Sequence, residues 1–178
     1  MTGGRRDVAW RPMRLALVGL LALGTVSLLG FTFGSGGKSE PSSAPSARAP
    51  FPGVPAYIAG YKRWPKHNRR PIPPRTSDPH DSQKNIYVSK PLRRDQKRYA
   101  VGTIIVKEGR EPGTKFVKLV AVMRKIRGFS RQHNDWQFIE WSRQSRDSRF
   151  TEVARGTVCY SCHVGARSRD YVWFKPRR

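Results

Sequence analysis

The sequence predicts an α+β domain: a mainly antiparallel β-sheet with a few helices and a short C-terminal helix, preceded by an N-terminal transmembrane or signal helix. Three observations carry this. Several short runs are rich in β-branched and aromatic residues and alternate apolar with polar positions. Turn residues separate them at hairpin distances. A 19-residue stretch without charge, Leu15 to Phe33, lies far from these runs at the opposite end of the chain.

The N-terminal elements read as export machinery. Arg5, Arg6, Arg11 and Arg14 precede the uncharged stretch, which as a helix would span about 28 Å at roughly 1.5 Å per residue, enough for a bilayer core. Positive charge ahead of such a segment keeps that end in the cytoplasm and sends the rest across. Residues 1–14 are therefore expected to be a basic cytoplasmic segment and 15–33 a single-pass anchor. A cleaved signal is the alternative. The small-x-small site Ala47-Arg48-Ala49 lies well past the apolar run, which disfavours cleavage there. The residues after Arg5-Arg6 fit a twin-arginine signal poorly. Residues 34–55, rich in Gly, Ser, Pro and Ala, cannot bury enough apolar surface to fold and are expected to form a flexible tether. The domain is then 56–178.

Within the domain, NIYVS (Asn85 to Ser89), TIIVKE (Thr103 to Glu108), FVKLVAVMRK (Phe116 to Lys125) and DWQFIEW (Asp135 to Trp141) are the expected strands. Pro112-Gly113 marks a hairpin loop and Gly128 a turn. Helices are expected over Ala56 to Trp64 and Leu92 to Tyr99, and a short one over the cysteines near the C-terminus.

The formal charge of the 178-residue chain is +23, and from Pro50 onward 29 Lys and Arg face 10 Asp and Glu, a balance of +19. Basic chains often bind nucleic acid through phosphates. Here the charge is spread along the whole length, no helix-turn-helix, zinc-finger or RNA-recognition signature accompanies it, and the export signal points elsewhere. An anionic membrane surface or an acidic redox partner suits the charge better than nucleic acid.

Cys159 and Cys162 are the only cysteines, and His163 follows directly. Two thiols about one helical turn apart can add to the two vinyl groups of one haem, and the adjacent imidazole then becomes the proximal iron ligand. One covalent haem c per chain is the expected cofactor. The other readings of the motif are a redox dithiol, which wants a βαβ context absent here, a zinc site, which lacks a fourth ligand, and a structural disulfide, which export would permit. Electron carriers of this class commonly add a methionine well downstream. None follows His163, and Met123, the domain's sole methionine, lies upstream in an expected strand, where core packing is its expected role. His67, His80 and His133 each lie in polar, loop-like stretches and are expected at the surface. An open or water-bound sixth position is the result, which suits ligand binding or catalysis.

The chain also resembles the cytochrome P-460 family, which includes the related cytochromes c′-β. The matching segments are NIYVS, GTIIVKE (Gly102 to Glu108), VMRK (Val122 to Lys125) followed by Gly128-Phe129, NDWQF (Asn134 to Phe138), and CYSCHVGARSRDYVW (Cys159 to Trp173), in order over about 90 residues. The resemblance implies a small, mainly antiparallel β fold, usually a homodimer, holding a five-coordinate c-type haem. It implies hydroxylamine oxidation in the P-460 enzymes, where a lysine also bonds to the porphyrin, and binding of gases such as nitric oxide in the c′-β relatives, which lack that bond. The matching lysine is Lys107.

Strand alternation places Thr103, Ile105 and Lys107 on one face and Ile104, Val106 and Glu108 on the other. Lys107 could enter a pocket or snorkel into water. Hydroxylamine oxidation also wants a carboxylate to accept protons. Glu140 shares a face with Trp136 and Phe138, although a solvent-facing position is the expectation; Glu108 and Asp135 are weaker candidates. Asp170 is expected to hold the C-terminal backbone. The chain departs from simple members in its anchor and its basic charge.

The expectation is thus an exported, membrane-anchored mono-haem cytochrome on the periplasmic side of the cytoplasmic membrane. It would carry out redox chemistry on hydroxylamine or nitric oxide and pass electrons to a partner protein. The competing expectation is a non-enzymatic gas-binding or electron-transfer module, and a weaker one is a structural domain with a disulfide.

Overall fold

The four apolar-rich runs form neighbouring strands of one sheet in a computed structural model that describes residues 49–175. The strands are β1 (Gln83–Val88), β2 (Ile104–Arg110), β3 (Val117–Lys125), β4 (Trp136–Ser142) and β5 (Thr151–Arg155). Their order across the sheet equals their order in the chain, and every neighbouring pair is antiparallel. This is the α+β, mainly antiparallel architecture expected. A short helix, α1 (Thr157–His163), and a 3₁₀ helix over Val164–Arg169 come after β5. Segments 1–14 and 15–33, and most of 34–55, lie outside the described residues. Among the described residues no helix is long and apolar enough to cross a membrane.

The hairpin at Pro112-Gly113 is closed by the Glu111 N–H donating to the Phe116 carbonyl at 3.1 Å, with Gly113 in the left-handed region at φ 75°. A turn at Gly128 likewise joins β3 to β4.

Two helix expectations are corrected. Ala56 to Trp64 is two separate 3₁₀ turns, Ala56–Ile58 and Tyr61–Arg63, because Gly60 between them takes a left-handed conformation. Leu92 to Tyr99 is no helix but a turn closed by Gln96 N–H on the Arg93 carbonyl. A helix there would set Arg93 against Lys97 and Arg94 against Arg98, like charges four residues apart. The Tyr99 N–H instead donates to the Asp170 carboxylate at 2.8 Å. The fifth strand, β5, has no counterpart among the expectations. It is an edge strand whose side chains are mostly exposed, so it carries no buried alternation to reveal it.

Alternation gives the sheet two apolar faces. On one, Tyr87, Val106, Val120, Val122, Ile139 and Trp141 pack under Val54, Ile58, Tyr61 and Phe150. On the other, Ile86, Ile105, Met123, Trp136 and Phe138 pack against Tyr99, Tyr171 and Val172. Fully buried side chains such as Trp136 and Tyr61 each contribute about 1.5–3 kcal/mol of transfer free energy. Packing begins ahead of Ala56. Phe51 and Val54 belong to the first face, and Gly53, at φ 93°, lies so close to Phe150 that a Cβ there would sit 2.1 Å from the Phe150 carbonyl oxygen.

Two buried carboxylates brace the faces. Asp170 accepts from Tyr99 N–H, from Lys125 Nζ and from Asn134 Nδ2, so it ties the C-terminal segment to the end of β3 as expected. Glu108, fully buried on the first face, accepts from Tyr61 Oη and Arg110 Nε, with Lys62 Nζ at 3.5 Å. Burial alone would raise its pKa, but the Tyr61 hydroxyl, Lys62 and Arg110 together hold it below the usual glutamate value. A carboxyl depressed in the folded state stabilises fully above its unfolded pKa of about 4.3, and that stability is lost as pH falls through the folded value. Urea midpoints should therefore drop between pH 7 and acid pH less steeply in Glu108→Gln than in the parent. Equal slopes would mean that Glu108 is not depressed.

Candidate functional site

The second face of the sheet is not filled edge to edge. Antiparallel register aligns Ile86, Lys107, Ala121, Glu140 and Ala154 in one row across all five strands. Beside it run Ile105, Met123 and Phe138. The small Ala121 and Ala154 leave room between the larger side chains, and helix α1 closes over the gap. The result is a cavity of about 350 Å³, a size suited to a small-molecule ligand or cofactor. Ile86, Ile105, Phe138 and Val172 give it apolar walls.

Helix α1 starts after Gly156, whose carbonyl accepts from the Cys159 and Tyr160 N–H groups at 2.9 Å. Tyr160 docks the helix on the sheet. Its hydroxyl donates to the Trp136 carbonyl at 2.7 Å, and its ring stacks on His133 and meets Phe138 edge-on. Cys159, Cys162 and His163 then all line the cavity. Both cysteines are free thiols. Burial pushes the Cys159 thiol pKa up.

His163 is held by its neighbours on both sides of the ring. Nδ1 lies 2.7 Å from the Tyr171 carbonyl, and because a carbonyl can only accept, the proton is on Nδ1. Nε2 is left with its lone pair and no hydrogen bond to the described residues. Burial pushes the imidazole pKa down to about 4; Lys107 and His80 push the same way, and the Tyr171 carbonyl only partly offsets them. The ring is neutral at ordinary pH, the state that binds a metal. The αL residues Asp170 and Tyr171 make the turn that brings this carbonyl back to the helix, and Asp170 anchors it.

The polar groups sit together. Lys107 lines the cavity and makes no hydrogen bond or ion pair with the described residues. Its pKa is lowered by burial, against the pull of Asp78 and Glu140. Of the two positions open to it, the side chain occupies the pocket. Glu140 is at the cavity and half-buried, not facing solvent as expected, because β5 and the segment before β1 cover that end of the row. His80 is likewise no surface histidine. Its Nδ1 lies 2.8 Å from Glu140 Oε2 within the cavity wall. Met123 serves both as core and as cavity lining. Glu108 is on the opposite face, and Asp135 does not line the cavity. His67 packs on Phe174, and His133 on Tyr160; neither lines the cavity. Nothing in the local sequence marks His80, since only long-range packing brings its Pro-rich segment to β4.

A family model described as Cytochrome P460 matches residues 58–174, well over half of the chain. The chain belongs to the cytochrome P460 family. No curated protein matches it. The match runs from Ile58, buried in the first face, to Phe174 at the cavity, so it covers the elements that build the site.

Membership makes the chain a haem protein, and the residues of this cytochrome P460 fit that cofactor. The walls are apolar, as a macrocycle requires. The donor set is one neutral imidazole with a free Nε2, and two thiols one turn apart on the same helix can bond a porphyrin's vinyl groups. Among the described residues no group of three or more His, Cys, Asp or Glu is placed to hold a bare metal ion. When bound, haem supplies one-electron chemistry and a site for a small ligand at iron.

Proposed function

We propose that this cytochrome P460 is an exported, membrane-anchored mono-haem c protein that oxidises a small nitrogen species, hydroxylamine in first place, and passes the electrons to a partner. The observation that carries the reading is the convergence of Cys159, Cys162 and His163 on one apolar cavity, with the His163 tautomer set by the Tyr171 carbonyl. Cys159 and Cys162 would hold one haem per chain through thioethers, with His163 as proximal iron ligand and the sixth position open. Met123, the one methionine among the described residues, is packed in the second apolar face rather than presented from a loop beyond the haem motif.

An ionisable corner supports chemistry over simple gas storage. Lys107, Glu140 and His80 line the same cavity as its apolar walls, and oxidation of hydroxylamine releases protons that a base must take. The competing reading, non-enzymatic binding of nitric oxide or electron transfer, rests on the apolar remainder of the cavity. Localisation on the periplasmic side of the cytoplasmic membrane, a single-pass anchor over 15–33 and an acidic redox partner come from the basic, apolar N-terminus and the +23 charge. A homodimer is the expected assembly of the family.

Hydroxylamine turnover with an artificial one-electron acceptor tests the reading. Sustained acceptor reduction is expected; tight nitric oxide binding without any turnover would favour the competing one. Lys107 is the residue for a lysine–porphyrin bond. The ferrous absorption band at the wavelength in the family's name should be present in the parent and lost in Lys107→Ala. An ordinary c-type spectrum unchanged by the substitution would reject the bond.

A further inference from the structure

His80 and Glu140 form a pair that neither the haem motif nor the family match explains. Their side chains are each only 15% exposed, they line the cavity, and His80 Nδ1 is 2.8 Å from Glu140 Oε2. The backbone around His80 is pinned. Its N–H donates to Asp78 Oδ1 at 2.9 Å, and its carbonyl accepts from Ser82 Oγ at 3.0 Å. Asp78 is itself held by the buried Lys84 of β1 at 2.9 Å, and Glu140 is fixed in the middle of β4. Two surface side chains meeting by chance would not be braced from both sides. The Glu140 carboxylate lies at ion-pair distance from Nδ1 without an aligned hydrogen bond, so it favours a positive charge on the ring, and Nε2 makes no hydrogen bond to the described residues.

We infer that His80 is the proton acceptor of this cavity and that Glu140 is its positioning residue. The arrangement pairs a carboxylate with an imidazole, and the adjacent negative charge stabilises the imidazolium that forms. The inference rests on the hydroxylamine reading above. Oxidation of hydroxylamine to nitroxyl, NH₂OH to HNO, releases two electrons and two protons. The electrons leave one at a time to an external one-electron acceptor. Nε2 of His80 takes one proton, hands it to water through its exposed edge, and then takes the second. Charged and titratable groups facing the pair are Lys107 from β2, Asp78 and Lys84 from the segment at β1, and Cys159, Cys162 and His163 from α1.

The test uses the full haem-loaded chain with His80→Ala, Glu140→Gln and the double variant, each first shown to carry haem. With hydroxylamine and an artificial acceptor, His80→Ala should lower kcat by about 10²-fold or more while KM stays within about threefold. Added imidazole should restore part of the rate. Glu140→Gln should lose less, and the double variant should be no worse than His80→Ala alone. A second readout needs no turnover: the C–O stretch of the ferrous carbon monoxide adduct should shift in both single variants. A parent that turns over with His80→Ala within threefold of it and an unmoved C–O stretch overturns the inference. So does a low-spin ferric parent that becomes high-spin in His80→Ala, since His80 would then be an iron ligand. A parent without turnover whose C–O stretch still responds to His80 sinks the hydroxylamine reading and keeps the dyad at the ligand.

Discussion

Asp170→Ala should lower the stability of the domain by about 3–5 kcal/mol, the range for removing one partner of a buried ion pair. Lys125 Nζ, itself buried, would lose its counter-charge, and the Tyr99 N–H and Asn134 Nδ2 would lose their acceptor. Against a total of about 5–15 kcal/mol for an ordinary domain, this is a large fraction. The effect should reach the site as well, because Tyr171, the next residue, supplies the carbonyl that orients His163. Urea unfolding of parent and variant measures it. A loss below about 1 kcal/mol would show that the three donors find other partners and that Asp170 is not the clamp described.

His163→Ala should leave a chain that still carries haem through Cys159 and Cys162 but has lost the axial nitrogen. Its ferric and ferrous absorption spectra should both change. Hydroxylamine turnover should fall by more than the about 10–100-fold typical when only a supporting partner of a metal ligand is removed. Unchanged spectra would place the proximal ligand elsewhere, and one of the other histidines would have to supply it.

The features legible in the sequence are those set by local physics. Four strands announced themselves because their side chains alternate between two environments, and Cys159, Cys162 and His163 because a single turn of helix brings them together. The face shared by Ile105 and Lys107 was readable for the same reason. The misses have long-range causes. Leu92 to Tyr99 has helical spacing, yet its last N–H is taken by Asp170, 71 residues further on. β5 pairs along one edge only and buries little. His80 looked exposed because its neighbours in the chain are polar, and Glu140 because a lone carboxylate on a strand ordinarily faces water; the contact that joins them spans 60 positions of chain. Glu108 was a candidate for the cavity by residue type, but strand parity already set it on the face opposite Lys107, and Tyr61 and Arg110 claim it there.

The central claim is a haem bonded to this chain through Cys159 and Cys162 in the cavity beneath helix α1. Denaturing gel electrophoresis of protein matured in a host that attaches c-type haem, followed by staining for haem peroxidase activity, tests it most directly. The stain should travel with the full-length chain and vanish in the Cys159→Ser/Cys162→Ser double variant. Haem that leaves the parent chain on denaturation, or a parent that never acquires it, would contradict the claim.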